Sequence, residues 1–303
     1  MRYLKEVIDI ETKHTAYKLK IADLYFDVTT FYDKHTAQMF KNYMVDTIDK
    51  DYPCYKINCT VTVDELAEPQ GKKLTDREES NWYMEEEGVY NQSFYDFENE
   101  CICALFSFDN NERNAEVVLR DMRSLFDVDT EVFLYNVLDR VFRLAIVFNS
   151  GFVFHASSVA HSGYGLAFSA LSGVGKSTHT GLWLKHREGS YIINDDAPAL
   201  RFIDGNWYIY GTPWAGTTGI NTNVCLPLKS LVFLERSTDN HISDCSVTDG
   251  IRRIFEALIH PASDEISDII FALIAQLFTN AKVCVLGCNI SPEAVDTVED
   301  YLF

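Results

Sequence analysis

At 303 residues, 47% of them hydrophobic, the chain has apolar material for one large core or two of ordinary size, and its composition excludes a disordered protein. Its 45 acidic against 26 basic side chains give a formal net charge of -19, a surface that repels phosphate backbones and anionic lipid, so neither nucleic acid nor a membrane is expected as a partner. One local basic pocket stays compatible with that balance, because a phosphate site needs only a lysine and a few backbone N–H groups.

The eight cysteines form no Cys-x-x-Cys pair and no zinc-like spacing with histidine, and read as small buried hydrophobes of a reducing compartment. The start, Met1-Arg-Tyr-Leu-Lys-Glu6, lacks an apolar signal core, and no window approaches eighteen uninterrupted apolar residues. A cytoplasmic protein is the expectation.

From residue 17 to about 128 the pattern has mostly period two. Residues 17–22, 24–29 and 54–63 alternate or carry β-branched and aromatic side chains, as half-buried strands do. Residues 93–97, 101–108 and 115–119 read as an antiparallel meander with a tight turn at Asn110-Asn111. The acidic run Met84-Glu-Glu-Glu-Gly88 offers a ligand site or a solvated loop, and mutual repulsion of like charges favours the loop. Residues 131–148 have apolar side chains at three- and four-residue spacing, with Asp129 or Thr130 placed to cap them, and predict a buried helix that Asn149-Ser-Gly151 stops. The predicted division is a β-rich α+β domain over 1–128, a connecting helix over 129–150 and an α/β domain over 151–303.

Residues 152–160, the turn His161-Ser-Gly-Tyr-Gly165 and residues 166–169 predict a hairpin that delivers the chain into Ser169-Ala-Leu-Ser-Gly-Val-Gly-Lys-Ser-Thr178. Strand, glycine loop and helix are the context a triphosphate cradle requires. Several backbone N–H groups must turn inward around a phosphate, and Gly173 and Gly175 tolerate the dihedrals this needs. Lys176 is placed to reach the β- and γ-phosphates, Ser177 to put its hydroxyl on Mg2+, and the helix that begins there to aim its positive end at the anion. Ser172, Val174 and Thr178 complete the candidate loop. Ala170 stands where G-x-x-x-x-G-K-[ST] has its first glycine. The apolar run Tyr191-Ile-Ile-Asn-Asp-Asp196 reads as a strand whose C-terminal end carries Asp195 and Asp196, one carboxylate to hold Mg2+ and the other to accept the proton of an attacking hydroxyl.

Phe154-His-Ala-Ser-Ser-Val159, Leu171-Ser-Gly-Val-Gly-Lys-Ser-Thr178 and Asn194-Asp-Asp196 together resemble the C-terminal kinase domain of HPr kinase/phosphorylase. The loop and the Asp-Asp spacing also resemble phosphoenolpyruvate carboxykinase, which shares that fold, and the likeness extends to HPr-kinase-related bacterial proteins that couple a small N-terminal domain to this module. The resemblance covers residues 153–235 well and implies a carboxykinase-like P-loop kinase core with a mixed sheet. It also implies catalytic roles for Lys176, Asp195 and Asp196, metal roles for Ser177, Asp195 and Asp196, and a place beside the phosphates for His155, which on the apolar strand alone reads as a hydrogen-bonded core histidine. The implied ligands are ATP or another nucleoside triphosphate and Mg2+. The implied reaction is phosphoryl transfer to a hydroxyl, a serine of a protein or peptide, with a small-metabolite kinase and a nucleotide-binding regulatory scaffold as alternatives. Relatives in that family are oligomers, which makes a second copy an implied partner. The family's Leu-Glu-x-Arg-Gly-Leu-Gly segment has no counterpart near residues 210–219, where no acid or arginine stands, so the resemblance does not extend to the phosphorylase reaction or to HPr as substrate.

Beyond the loop, residues 199–210 predict a hairpin turning at Asp204-Gly205. Residues 211–223, with Trp214 and several threonines and asparagines, read as a flexible polar loop, a candidate lid or a surface crossover. A central strand is expected at 228–235, helices at 248–259 and 264–279, a last strand at 282–287 and a closing helix from Pro292. Arg252 and Arg253 read as a pair that either stabilises transferring phosphate or is simply exposed.

Overall fold

The computed structural model describes residues 15–30, 35–96, 100–121, 130–258 and 263–303. It is a mixed α/β structure with two mixed sheets, one in each of two compact units: Met1–Ala145 with His260–Ser267, and Ile146–Ile259 with Asp268–Phe303. Among the described residues no helix is long and apolar enough to cross a membrane. The expected cap at Asp129 and the residues at 259–262 lie outside those described.

The first unit opens with the hairpin β1 (Thr15–Ile21) and β2 (Leu24–Thr30), turned by Ala22 and Asp23, both at positive φ. A short helix α1 (His35–Phe40) leads to β3 (Cys54–Thr62), then β4 (Lys72–Lys73), β5 (Ser80–Glu86), β6 (Val89–Asp96), β7 (Cys101–Asp109) and β8 (Asn114–Arg120). The sheet order is β1-β2-β3-β8-β7-β6-β5-β4, with β3 parallel to both β2 and β8 and the other pairs antiparallel. Alternation works as period two requires: Tyr55, Ile57 and Cys59 of β3 and Ala115, Val117 and Leu119 of β8 are buried. In α2 (Thr130–Val147) Leu134, Val137, Val141 and Phe142 are buried, and the Phe142 ring lies 5.7 Å from that of Phe26 on β2.

Two expectations in this unit are corrected. The acidic run is not a loop: Met84, Glu85 and Glu86 end β5, and Gly88, at φ +82, turns the chain into β6. Glu85, Glu86 and Glu87 are nonetheless exposed, which lets like charges share a hairpin end. The meander therefore has two more strands, β5 and β4, than residues 93–119 suggested.

The second unit runs β9 (Gly151–Val153), β10 (Ala156–His161), β11 (Tyr164–Ser169), α3 (Lys176–His186), β12 (Tyr191–Asn194), β13 (Ala199–Ile203), β14 (Asn206–Tyr210), β15 (Cys225–Arg236), β16 (His241–Asp244), α4 (Val247–Ala257), α5 (Asp264–Asn280) from Asp268 onwards, β17 (Lys282–Cys288) and α6 (Glu293–Leu302). The sheet order is β12-β10-β11-β15-β14-β13-β9, and β17 pairs with β15 and β16. Strand β15 is the axis: its first residues pair antiparallel with β14, and its remainder lies parallel to β11 and β17. Trp183 of α3 and Val295, Val298 and Leu302 of α6 pack on Phe168, Val232, Leu234 and Leu286 of these strands.

The apolar run 152–160 is not one strand. It splits at Phe154 and His155, so that β9 pairs with β13 while β10 pairs with β11 and β12. At the split the backbone donates to the turn after β12: Phe154 N–H to Pro198 O at 3.1 Å and Ala156 N–H to Asp196 O at 3.0 Å. Residues 211–223 are also less loop-like than their composition, because Gly211, Thr212, Trp214 and Ala215 are buried, while 216–220, Thr222 and Asn223 are exposed. All eight cysteines are free thiols, four of them buried, and Cys225 departs from the expected burial by being exposed.

Candidate phosphate site

Strand β11 ends at Ser169 and α3 begins at Lys176, so six residues make the loop between them. Gly173 and Gly175 have φ of +77 and +125, a region open to glycine, and a Cβ built on Gly173 would meet nothing within 4 Å. The loop folds on itself through Val174 N–H to Leu171 O at 3.2 Å, and α3 starts with His179 N–H to Gly175 O at 2.9 Å. Ser177 and Thr178 are exposed on the first turn, where the N–H groups of a helix have no intrahelical acceptor.

Lys176 is half-buried and its Nζ donates to Nε2 of His155 at 2.9 Å and to Ala170 O at 3.2 Å. An ammonium can only donate, so Nε2 accepts and the proton of a neutral imidazole sits on Nδ1, which lies 3.2 Å from Oδ1 of Asp196. Asp196, His155 and Lys176 thus form a chain of contacts, and the split after β9 is what brings His155 to Asp196. Burial pushes the Lys176 pKa below its ordinary value, while Asp196 and Asp195 act the other way.

Asp195 is buried, and Ser157 Oγ donates to its Oδ1 at 2.6 Å while lying 2.8 Å from Thr180 Oγ1 of α3. Asn194 holds the turn: its Oδ1 accepts from Asp196 N–H at 2.9 Å and Ala197 N–H at 2.7 Å, and its Nδ2 donates to Thr212 O and Trp214 O. The 212–214 segment is thereby fixed beside the Asp pair, and Gly216 follows at φ +58 against Asp196.

A cavity of about 340 Å³ takes in His155, Ser172, Gly173, Gly175, Lys176, Ser177, Thr178, Asp195 and Asp196 from the expected set, closed on one side by Ala215–Thr218. Val174 faces the two neighbouring cavities. Arg252 and Arg253 do not line the phosphate cavity: Arg252 pairs with Asp249 and Glu256, and Arg253 with Asp249 and Glu235. Sequence reasoning did not assign roles to Ser157, Thr180, Asn194 or Thr212. For Asn194 a local signal existed, an asparagine at a strand end able to accept from the backbone two and three residues on. For the others the contacts span distant residues and leave no local trace.

Among the described residues no three or more His, Cys, Asp or Glu stand together as a metal cluster. Beside the ring nitrogens of His155, the cavity is lined by two carboxylates and the Ser177 hydroxyl, oxygen donors that fit Mg2+, which takes one or two carboxylates and completes its shell with water and substrate phosphate.

No family model matches the chain, and no curated protein does. Among solved structures it is similar to the Hpr(Ser) kinase/phosphatase from Coxiella burnetii, at 9% identity over 49% of this chain and 95% of that one, with a TM-score of 0.29.

Proposed function

We propose that the second unit binds a nucleoside triphosphate, ATP in the first instance, with Mg2+ and transfers its γ-phosphoryl group to a hydroxyl, a serine of a protein or peptide. The observation that supports this most is the chain Asp196–His155–Lys176 at the rim of a glycine loop that opens into one cavity. Loop N–H groups and the start of α3 hold the phosphates, and Lys176 neutralises charge on the β- and γ-oxygens. Mg2+, held by Ser177 and Asp195, would add charge neutralisation and alignment of the β- and γ-phosphates. Asp195 suits that role because Ser157 fixes one carboxylate oxygen.

Asp196 is the more open carboxylate, with 40% of its side chain exposed, and is placed to take the proton of the acceptor hydroxyl. The freed oxygen attacks the γ-phosphorus, the bond to the bridging oxygen breaks, and the nucleoside diphosphate leaves with the electron pair. His155 orients Asp196 and Lys176 at once, so it acts by positioning.

The test is nucleotide binding by calorimetry alongside ADP release in host lysate. Lys176→Met removes charge-assisted hydrogen bonds and should weaken ATP binding about 10- to 100-fold. Asp196→Asn should leave binding in place and lower ADP release about 10²- to 10⁴-fold. Wild-type binding without any turnover would instead identify a regulatory nucleotide-binding protein.

A further inference from the structure

Two cavities flank the phosphate cavity, and their linings differ. One, of about 510 Å³, shares Gly173, Gly175 and Thr178 with it and is walled by Val174, Leu182, Leu234 and the exposed Ile290. It adjoins the helix start, away from the lysine. The other, of about 610 Å³, shares His155 and Ser172 with the phosphate cavity and includes Ala170, whose carbonyl receives the Lys176 ammonium. Lys176 reaches towards the β- and γ-phosphates in loops of this type, and Lys176 and Asp196 line the phosphate cavity that the second cavity joins at His155 and Ser172. An acceptor seated in the second cavity is one that meets Asp196 past the His155 ring.

That cavity has an apolar floor that includes Phe233 and Ala257, and three arginines, Arg236, Arg252 and Arg253, on its walls. Glu235 and Glu256 line it too and pair with two of these arginines, so the wall is a cluster of ion pairs in a chain with a net charge of -19. We propose that this cavity is the acceptor subsite and that the acceptor carries an anionic group, a carboxylate or a phosphate, near the hydroxyl that is phosphorylated; this rests on the phosphotransferase reading above.

The arginines are already oriented. Arg253 donates through Nε to Asp249 at 2.6 Å and through Nη2 to Glu235 at 2.5 Å, with its guanidinium 5.4 Å from the Phe233 ring centroid. Arg252 spans Asp249 and Glu256, and Arg236 Nη2 donates to Gly173 O in the phosphate loop at 2.5 Å. Glu235 and Glu256 have half their side chains exposed, so these pairs are weak and exchangeable. An anion that brings a bidentate face to Arg252 or Arg253 replaces a solvated glutamate and leaves Asp249 holding the guanidinium plane. Arg236, which lines this cavity and the 510 Å³ one, also ties the wall to the phosphate loop through Gly173 O.

The experiment uses the full chain saturated with Mg2+ and AMP-PNP, a non-hydrolysable ATP analogue, and titrates matched probes by calorimetry: glycerate against glycerol, and a serine peptide flanked by aspartates against one flanked by alanines. The charged member of one pair should bind saturably, at least about tenfold tighter than its neutral counterpart, and the pair that responds identifies a small molecule or an acidic peptide. Arg252→Gln, at an exposed position, should weaken that binding about tenfold with AMP-PNP affinity unchanged; Arg253→Gln gives a second reading. Equal binding of charged and neutral probes, no binding of either charged probe, or charged binding indifferent to both variants overturns the inference. Absence of AMP-PNP binding, seen before any probe is added, instead strikes the nucleotide reading and takes this one with it.

Discussion

Gly216 gives the sharpest test of how the 215–218 turn serves the site. Its φ of +58 is in the left-handed region, where a Cβ costs about 1 kcal/mol or slightly more. A Cβ there would also stand 3.0 Å from Cβ and Cγ of Asp196, well inside the roughly 3.5–4.0 Å that carbon atoms prefer, so the carboxylate has to retreat by about 0.5 Å or more. Asp196 Oδ1 is 3.2 Å from His155 Nδ1, already at the long end of a hydrogen bond, and that retreat breaks it. Gly219 supplies the control: its φ is +64 and nothing lies within 4 Å of its built Cβ. Gly219→Ala should therefore lower stability by about 1 kcal/mol, or about 2–4 °C in Tm by scanning calorimetry, and Gly216→Ala by at least as much. Only Gly216→Ala should lower ADP release, by about 10- to 100-fold, the effect of a displacement approaching an ångström at a reacting group. Equal loss of turnover in both variants, or wild-type turnover in Gly216→Ala despite a lowered Tm, would refute the assignment of Asp196.

Two further outcomes follow from buried polar contacts. Ser157→Ala removes a fully buried hydroxyl that donates to Asp195, and should cost about 1.5–3 kcal/mol in urea denaturation while weakening the Mg2+ dependence of nucleotide binding; a loss below about 0.5 kcal/mol would show that the contact is dispensable. His179 is 2% exposed and burial lowers its pKa from 6.5 to about 4, so the fold prefers the neutral ring that accepts from Trp183 Nε1. Above pH 6.5 both states are neutral and the contribution is whole; as pH falls towards about 4 the unfolded chain takes up a proton that the fold refuses, and stability drops by about 1.4 kcal/mol per pH unit. His179→Gln, which keeps an acceptor for the indole, should flatten that slope in denaturant titrations between about pH 4.5 and 7, and an unchanged slope would place the titration elsewhere.

The parts of this molecule that could be read from the sequence are those whose physical demands are local. Gly173 and Gly175 are legible because only glycine adopts their dihedrals readily, and the hairpin at Asp204-Gly205 for the same kind of reason. The periodicity of residues 131–148 shows a helix because one helix carries its own pattern. The split at His155 could not be read, since residues 152–160 are apolar throughout and hydrophobicity does not record which ladder a strand joins. Yet that split does most to shape the candidate site. A continuous strand through 152–160 would keep alternating its side chains across the sheet, and would make no allowance for the backbone bonds from Phe154 and Ala156 to the turn after β12. Those two bonds bring the His155 ring between Asp196 and Lys176, residues 41 and 21 positions away, and turn a core-like histidine into the link between a carboxylate and a phosphate-loop lysine. The same reasoning accounts for Trp214: its segment has the composition of a surface loop, but Asn194 supplies two of its carbonyls with a buried donor, which allows a polar stretch to enter the interior and present Gly216 to the acid. In this unit the chemistry-bearing residue types are local features, and their geometry is set by backbone groups satisfied across distant segments.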